Sequence, residues 1–349
     1  MTLNPALDLT YTVDALIPHA THRVSSVRSR AGGKGLNVAR VLHALGEPVL
    51  ATGIVGGAVG TQITDLLRTA GLPSSFVTAP IESRRTVTVA DGTDATGFWE
   101  PGPQITAESW SAFMSHFRTL LPRATVVALC GSLPPGIPTD GYATLTLLAA
   151  EHDVPVVLDT SGPALHEALA ARPHIAKPNA AELADLLAHR KAPPPATAAP
   201  SPPQATSALS PPPTASASSP PPTGSSVDAS PTTVSAWRER AEHVRSLGAR
   251  SVVVSRGPQG LLAVAEGGGW EAPPPEVVAG NPTGAGDACV AALARGLRDG
   301  TPWPEMLADA VALSGATVAA PVAGSFDPDT YHRLRAAAAV VGHPVPPRC

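Results

Sequence analysis

Thr125-Val-Val-Ala-Leu-Cys-Gly-Ser-Leu-Pro-Pro-Gly136, an amphipathic run over 142–150 and then Val154-Pro-Val-Val-Leu-Asp159 read as strand, loop, helix and strand. Both short apolar runs are rich in valine and bounded by Gly, Pro or polar residues, as strands buried on both faces of a parallel sheet are. The pattern recurs on either side. Runs over 49–55 and 251–255 have the same character, and amphipathic stretches cover 36–45, 61–70, 107–120, 180–189 and 234–247. The alternation predicts an α/β fold, an open and mostly parallel sheet with helices on both faces. Two early stretches, 10–27 and 84–100, break it and read as exposed extended chain forming a small accessory β lid.

The composition narrows the function classes. With 349 residues, 43% of them apolar, the chain can bury a large α/β core. A formal charge of −4 and the absence of any block of like charges leave no nucleic-acid footprint. The first twenty residues lack a cationic segment and carry Asp8 and Asp14, unlike a signal peptide. No apolar run reaches membrane-spanning length. The three cysteines and eleven histidines show no metal-ligand spacing. These features predict a cytoplasmic protein without a membrane partner.

One segment stands apart. Of the 43 residues from 191 to 233, 13 are proline and the rest are almost all Ala, Ser or Thr. Such a stretch cannot offset its ordering entropy, so it predicts a disordered insertion with polyproline II character. The ordered domain is expected to span 1–340, with 341–349 as a C-terminal tail.

In open α/β sheets ligands gather where strands end and loops lead into helices. The distinctive motifs fall on such loops. In Asn281-Pro-Thr-Gly-Ala-Gly-Asp287, before a helix over 288–297, two glycines let backbone N–H groups converge on one point, and the helix adds its positive end. A carboxylate beside such an anion hole suits a base that takes a proton from a nucleophile attacking phosphate. Taken alone, the segment fits a plain helix cap equally well. Cys289 at the place of the third glycine weighs against a dinucleotide fingerprint, and no P-loop is present. Gly32-Gly-Lys34-Gly-Leu-Asn37 places a cation beside a helix start. Asn179-Ala-Ala-Glu182 has the spacing of a capping box and equally suits a hydrated Mg²⁺. Arg23, Arg84 and Arg85 lie in the accessory stretches and supply the side chain that bidentate phosphate recognition needs.

These motifs, in this order, resemble the ribokinase-like (PfkB) carbohydrate kinases from residue 1 to about 340. Asn4-Pro-Ala-Leu-Asp8, the glycine turn through Arg40, Trp99-Glu-Pro-Gly-Pro103 and Gly131-Ser-Leu-Pro-Pro-Gly136 resemble the branch of 1-phosphofructokinases, tagatose-6-phosphate kinases and a minor 6-phosphofructokinase type. The resemblance implies a ribokinase-like fold with a β lid, ATP and Mg²⁺ as cofactors, and a sugar phosphate as substrate. It makes Asp287 the general base and Gly284, Ala285 and Gly286 the anion hole. Asp8 would bind sugar hydroxyls at the end of the first strand. Gly33, Lys34, Asn37, Arg84 and Ser132 would line the sugar-phosphate pocket. Arg23 would reach the substrate of a second subunit where members form a homodimer through their lids. Asn179 and Glu182 would position Mg²⁺ through water, and Ser255 and Gly257 would face the nucleotide. Pro282 departs from the usual Thr, with Thr283 next to it as a substitute, and the first strand starts almost at Met1. The expected reaction is phosphorylation of fructose 1-phosphate, with tagatose 6-phosphate or fructose 6-phosphate as alternatives. A sugar-phosphate sensor without turnover is the reading from a different class.

Overall fold

The computed structural model describes residues 1–189 and 233–343. The proline-rich insertion lies outside the described residues apart from Thr233. The chain opens with β1 (Ala6–Thr12), β2 (Ser26–Gly32), α1 (Lys34–Ala44), β3 (Ala51–Val55), α2 (Gly57–Thr69) and β4 (Ser74–Thr78). Next come β5 (Arg84–Ala90), β6 (Ala95–Trp99) and α3 (Ala107–Leu120). Strand and helix then alternate: β7 (Val127–Cys130), α4 (Gly141–Ala150), β8 (Val156–Asp159), α5 (Gly162–Leu169), β9 (Ile175–Ala176) and α6 (Ala180–His189). The remainder is α7 (Val234–Ser246), β10 (Ser251–Ser255), β11 (Leu261–Ala265), β12 (Gly268–Ala272), α8 (Ala285–Asp299), α9 (Trp303–Val318), α10 (Pro328–Ala337) and β13 (Val341–His343).

The predicted ribokinase-like α/β architecture is present. Strands β7, β8, β9 and β10 run parallel, and β11, β12 and β13 extend the sheet antiparallel in that order. Strands β3 and β4 make a separate parallel pair. Residues 1–3 join the two sheets. Thr2 donates its N–H to Thr52 O at 3.0 Å, and Cys130 donates to Met1 O at 3.1 Å. Alternate residues of the central strands feed two apolar layers. Val156, Leu158, Val252 and Val254 face Phe113, Tyr142 and Leu145, while Val157 and Val253 face Val290, Leu293 and Leu313. Burial on both faces explains why these strands read as unbroken apolar runs.

The lid is larger than the sequence predicts. Its order is β2-β1-β5-β6, spanning residues 6–32 and 84–99. Strand β1 pairs along its whole length with β2 on one side and β5 on the other. Asp8 therefore belongs to the lid and not to the end of a core strand. A second correction concerns the expected tail at 341: Val341–His343 pairs with β12 and covers that strand's otherwise open edge.

A side chain at Gly53 would disturb the joint between the sheets, because its Cβ would lie 1.9 Å from Thr2 O. Gly53→Ala should therefore cost about 1–3 kcal/mol, as overpacking does. Urea denaturation monitored by circular dichroism would read this as a lowered midpoint. An unchanged midpoint would mean that residues 1–3 are not held there.

Candidate active site

Segments far apart in the chain meet at the carboxyl ends of the central strands. Asp159, the last residue of β8, is buried at 1% exposure. Its Oδ1 lies 3.2 Å from Lys34 Nζ, at the start of α1, and 3.3 Å from Lys177 Nζ, after β9. Its Oδ2 is buried without a hydrogen-bond partner among the described residues. Lys34 Nζ also stands 3.9 Å from Glu182 Oε1. Burial, the largest single influence, works to lower both ammonium pKa values, but Asp159 together with Glu182 and Asp287 holds both lysines above their ordinary value.

Asp287 lies in the first turn of α8 and is buried. Asn37 donates its Nδ2–H to Asp287 Oδ2 at 2.8 Å. Burial first, and the charge of Asp159 second, push its carboxyl up to about 7, against the pull of Asn37, Lys34 and Lys177. A carboxylate titrating near neutrality is suited to accept a proton from a hydroxyl. Gly284 caps the helix with φ 91°, a left-handed conformation that glycine adopts without strain. Of the proposed anion-hole groups, Ala285 departs from expectation: its N–H donates to Pro282 O at 3.1 Å. The N–H groups of Gly286 and Asp287 have no backbone acceptor among the described residues, as helix starts leave them. Lys177 lies alongside Gly286, so a cation adds to the positive end of α8.

Asn179 and Glu182 form the capping box in full. Asn179 N–H donates to Glu182 Oε2 at 2.8 Å, and Glu182 N–H donates to Asn179 Oδ1 at 2.9 Å. Glu182 Oε1 remains directed at Lys34. The orphaned Oδ2 of Asp159 and this oxygen fit a hydrated Mg²⁺, which takes one or two carboxylates and otherwise water and phosphate. Among the described residues no group of three or more His, Cys, Asp or Glu is built to hold a metal directly. Ser255 N–H donates to Pro178 O at 3.1 Å, which brings the end of β10 against the start of α6. Gly257 opens the short turn that follows, and the buried Arg256 anchors it to Glu271 at 2.7 Å.

The lid closes the other side. Thr86 Oγ1 donates to Asp8 Oδ1 at 2.5 Å. Burial raises the Asp8 carboxyl, countered by Thr86, Arg40, Arg84 and Arg30. Arg84 donates to Asn4 O at 3.2 Å and Glu100 O at 2.9 Å, and Asn4 donates to Ser132 Oγ at 3.1 Å. Gly33 caps α1. Lys34 pairs with Asp159 and Glu182 while its side chain stays 40% exposed. Arg23 is exposed in the β1–β2 loop and touches none of these groups. Sequence reasoning assigned no role to Asp159, Lys177, Arg30 or Arg40. Lys177 adjoined a quoted motif, and Asp159 ends a buried strand, where α/β ligand groups gather.

A profile of the pfkB family of carbohydrate kinases matches residues 1–207 and 225–330. Solved structures agree. Phosphofructokinase-2 from Escherichia coli is 25% identical over 96% of this chain and 97% of its own, with a TM-score of 0.76 for its fructose-6-phosphate complex. Its tetrameric inhibited form gives 0.78. A Thermotoga maritima protein described as a possible 1-phosphofructokinase gives 0.76 at 23% identity, over 98% of both chains. Arabidopsis thaliana ribokinase, solved with ribose and ATP, gives 0.66 at 20% identity, over 96% of this chain and 97% of its own.

The raised Asp287 carboxyl makes a stability prediction. The fold favours the protonated acid, so its contribution is complete below the ordinary value of 3.8 and is lost as pH rises through about 7. Asp287→Asn removes the buried charge. It should melt at a higher temperature than the wild type at pH 8, with the gap narrowing by pH 5 and closing only toward 3.8. Calorimetric scans across that range would show it; a gap that is constant with pH would contradict the raised carboxyl.

Proposed function

The chain belongs to the pfkB family of carbohydrate kinases, and on that footing we propose that it transfers the γ-phosphoryl group of ATP to a ketohexose phosphate. The first substrate is fructose 1-phosphate, phosphorylated at its 6-hydroxyl. The observation that carries this reading is Asp287, buried against Asn37 at 2.8 Å beside the free N–H groups of α8.

The acceptor hydroxyl lies against Asp287 and gives it its proton as the sugar oxygen bonds to the γ-phosphorus. The bond from phosphorus to the bridging oxygen breaks, and its electron pair leaves on ADP. The N–H groups of Gly286 and Asp287 and the Lys177 ammonium face the charge on the transferred group, so the anion is met by donors already in place. Asp159 and Glu182 would hold a hydrated Mg²⁺, which offsets triphosphate charge when bound, and Asn179 fixes Glu182. Ser255 and Gly257 border the nucleotide. Asp8 takes sugar hydroxyls, while Gly33, Asn37, Arg84 and Ser132 line the sugar end.

Fructose 6-phosphate or tagatose 6-phosphate, phosphorylated at the 1-hydroxyl, is the second reading. It is supported by the fructose-6-phosphate complex of the Escherichia coli relative. A sensor without turnover is disfavoured, because it would have no use for a buried carboxylate poised near neutrality.

The lid suggests a homodimer. Cross-strand register puts Tyr11, Val27, Val87, Val89 and Phe98 on one face, opposite to Asp8. Val27 is 58% exposed and Phe98 57%. Helix α2 covers only the lower part of that face, around Leu7 and Leu9. A second copy of the lid would bury the remainder.

Two measurements test these readings. ADP release with MgATP and each of the three sugar phosphates should be fastest with fructose 1-phosphate. Asp287→Asn should lower kcat at least ~10²-fold with substrate binding largely kept, as loss of a positioned base does. Wild-type turnover by that variant would remove the central claim. In sedimentation velocity the wild type should run as a dimer and Phe98→Glu as a monomer; equal coefficients would refute the lid contact.

A further inference from the structure

Four cations border the sugar end of the site, and they differ in how far the protein already satisfies them. Lys34 is paired with Asp159 and Glu182. Arg84 donates to two backbone carbonyls. Arg40 makes one short bond, Nη1 to Asn37 Oδ1 at 2.9 Å. Among the described residues Arg30 reaches only Gly324 O at 3.5 Å, and its Nη1 is buried without a partner. Among the described residues neither Arg30 nor Arg40 is in a salt bridge. A guanidinium N–H held out of water without an acceptor, as Arg30 Nη1 is, costs free energy unless a ligand completes it.

The lid's register shows where these donors converge. Asp8 of β1 is directly opposite Arg30 of β2, so both side chains stand on the same face as Thr86 and Arg84 of β5. Arg40, on α1, lies near enough to Asp8 of that face for their charges to attract. It is close enough to Arg30 for their charges to repel, and that repulsion, after burial, brings the Arg40 guanidinium down to about 9. Asn37 joins the pair to the base, accepting from Arg40 through Oδ1 and donating to Asp287 through Nδ2. Two like charges held together beside one carboxylate leave a net positive seat. An alcohol cannot offset it, and a single carboxylate offers fewer acceptors and less charge than a phosphomonoester, which carries about −1.5 to −2 and accepts bidentate bonds from arginine.

We propose that Arg30 and Arg40 form the seat for the phosphate that the sugar already carries, and so determine that a phosphorylated sugar, not a free one, is the substrate. The inference rests on the kinase reading above and assigns the phosphate to this pair in place of Lys34 and Arg84. Through Asn37, an occupied seat also aligns the base, so phosphate recognition and proton transfer share one amide.

The test separates the inference from the reading it rests on. Wild type, Arg30→Met, Arg30→Lys, Arg40→Met and Arg84→Met are compared for kcat/KM on fructose 1-phosphate, fructose 6-phosphate and unphosphorylated fructose. Arg30→Met and Arg40→Met should each lose about 10- to 100-fold on the phosphorylated sugar, as a charge-assisted bond does, and much less on free fructose, so that the preference for the phosphorylated sugar collapses. Arg30→Lys should recover part of the loss, keeping the charge but not the fork. Collapse of the preference in Arg84→Met alone would overturn the inference and leave the phosphosugar kinase intact. For the case in which no sugar is turned over, inorganic phosphate is titrated calorimetrically with ADP present. Binding that disappears in Arg30→Met and Arg40→Met but persists in Arg84→Met supports the seat, and equal binding by all variants refutes it.

Discussion

Everything at this site depends on one buried carboxylate shared by two lysines. Asp159 is held between Lys34 and Lys177 at 3.2 and 3.3 Å, and these residues come from β8, α1 and the turn after β9. Ionic groups withdrawn from water are stabilised only when their partners are fixed, and removing one partner from such a cluster is far more costly than losing a surface pair. The cluster therefore pins α1, β8 and the start of α6 into one arrangement. It also sets the electrostatics of the base. The charge of Asp159 adds to burial in raising Asp287, while the two ammonium groups keep that rise within reach of neutrality. The same ion set thus serves the architecture and the chemistry.

Much of the scaffold was legible because its rules are local. The valine-rich runs at 154–159 and 251–255 alternate between two apolar layers, and a strand buried on both faces has no other way to read. Helices α3 and α6 and strand β10 have the expected bounds because cap residues and apolar periodicity mark them; Thr106 accepts from Ser109 N–H at α3. The capping box of Asn179 and Glu182 was visible for the same reason. The lid was placed but truncated: β1 begins at Ala6 because pairing on both sides extends it, and cross-strand pairing leaves little trace in one strand's composition.

The site's charges were legible only in part, since charge partners are set by distance in space. Lys34, among glycines at a helix start, suggests a free cation awaiting an anion. In the fold it meets two carboxylates more than a hundred residues away. Arg30 drew no reading from the sequence, and Arg40 entered only as the end of the glycine-turn motif. Only the pairing of β1 with β2 sets Arg30 opposite Asp8, and only the seat of α1 brings Arg40 beside it. Ala285 shows the complementary limit. A Gly-Ala-Gly turn suggests converging N–H groups, but which of them bends back to Pro282 depends on the path of the preceding residues.

The lid's alternation links selection of substrate to assembly. Along β1 and β5, Asp8, Arg84 and Thr86 face the site, while Tyr11, Val87 and Val89 face away. A slip of one residue in either strand would exchange the two sets, placing apolar side chains over the sugar and charges on the outer surface. Burying the outer face against another lid therefore favours the register that points Arg30 and Asp8 inward. The converse would also hold: a dianion seated on Arg30 and Arg40 would favour the same register and with it the alignment of the outer face. Because the two faces belong to the same backbone, a contact made by one must contribute to the order of the other.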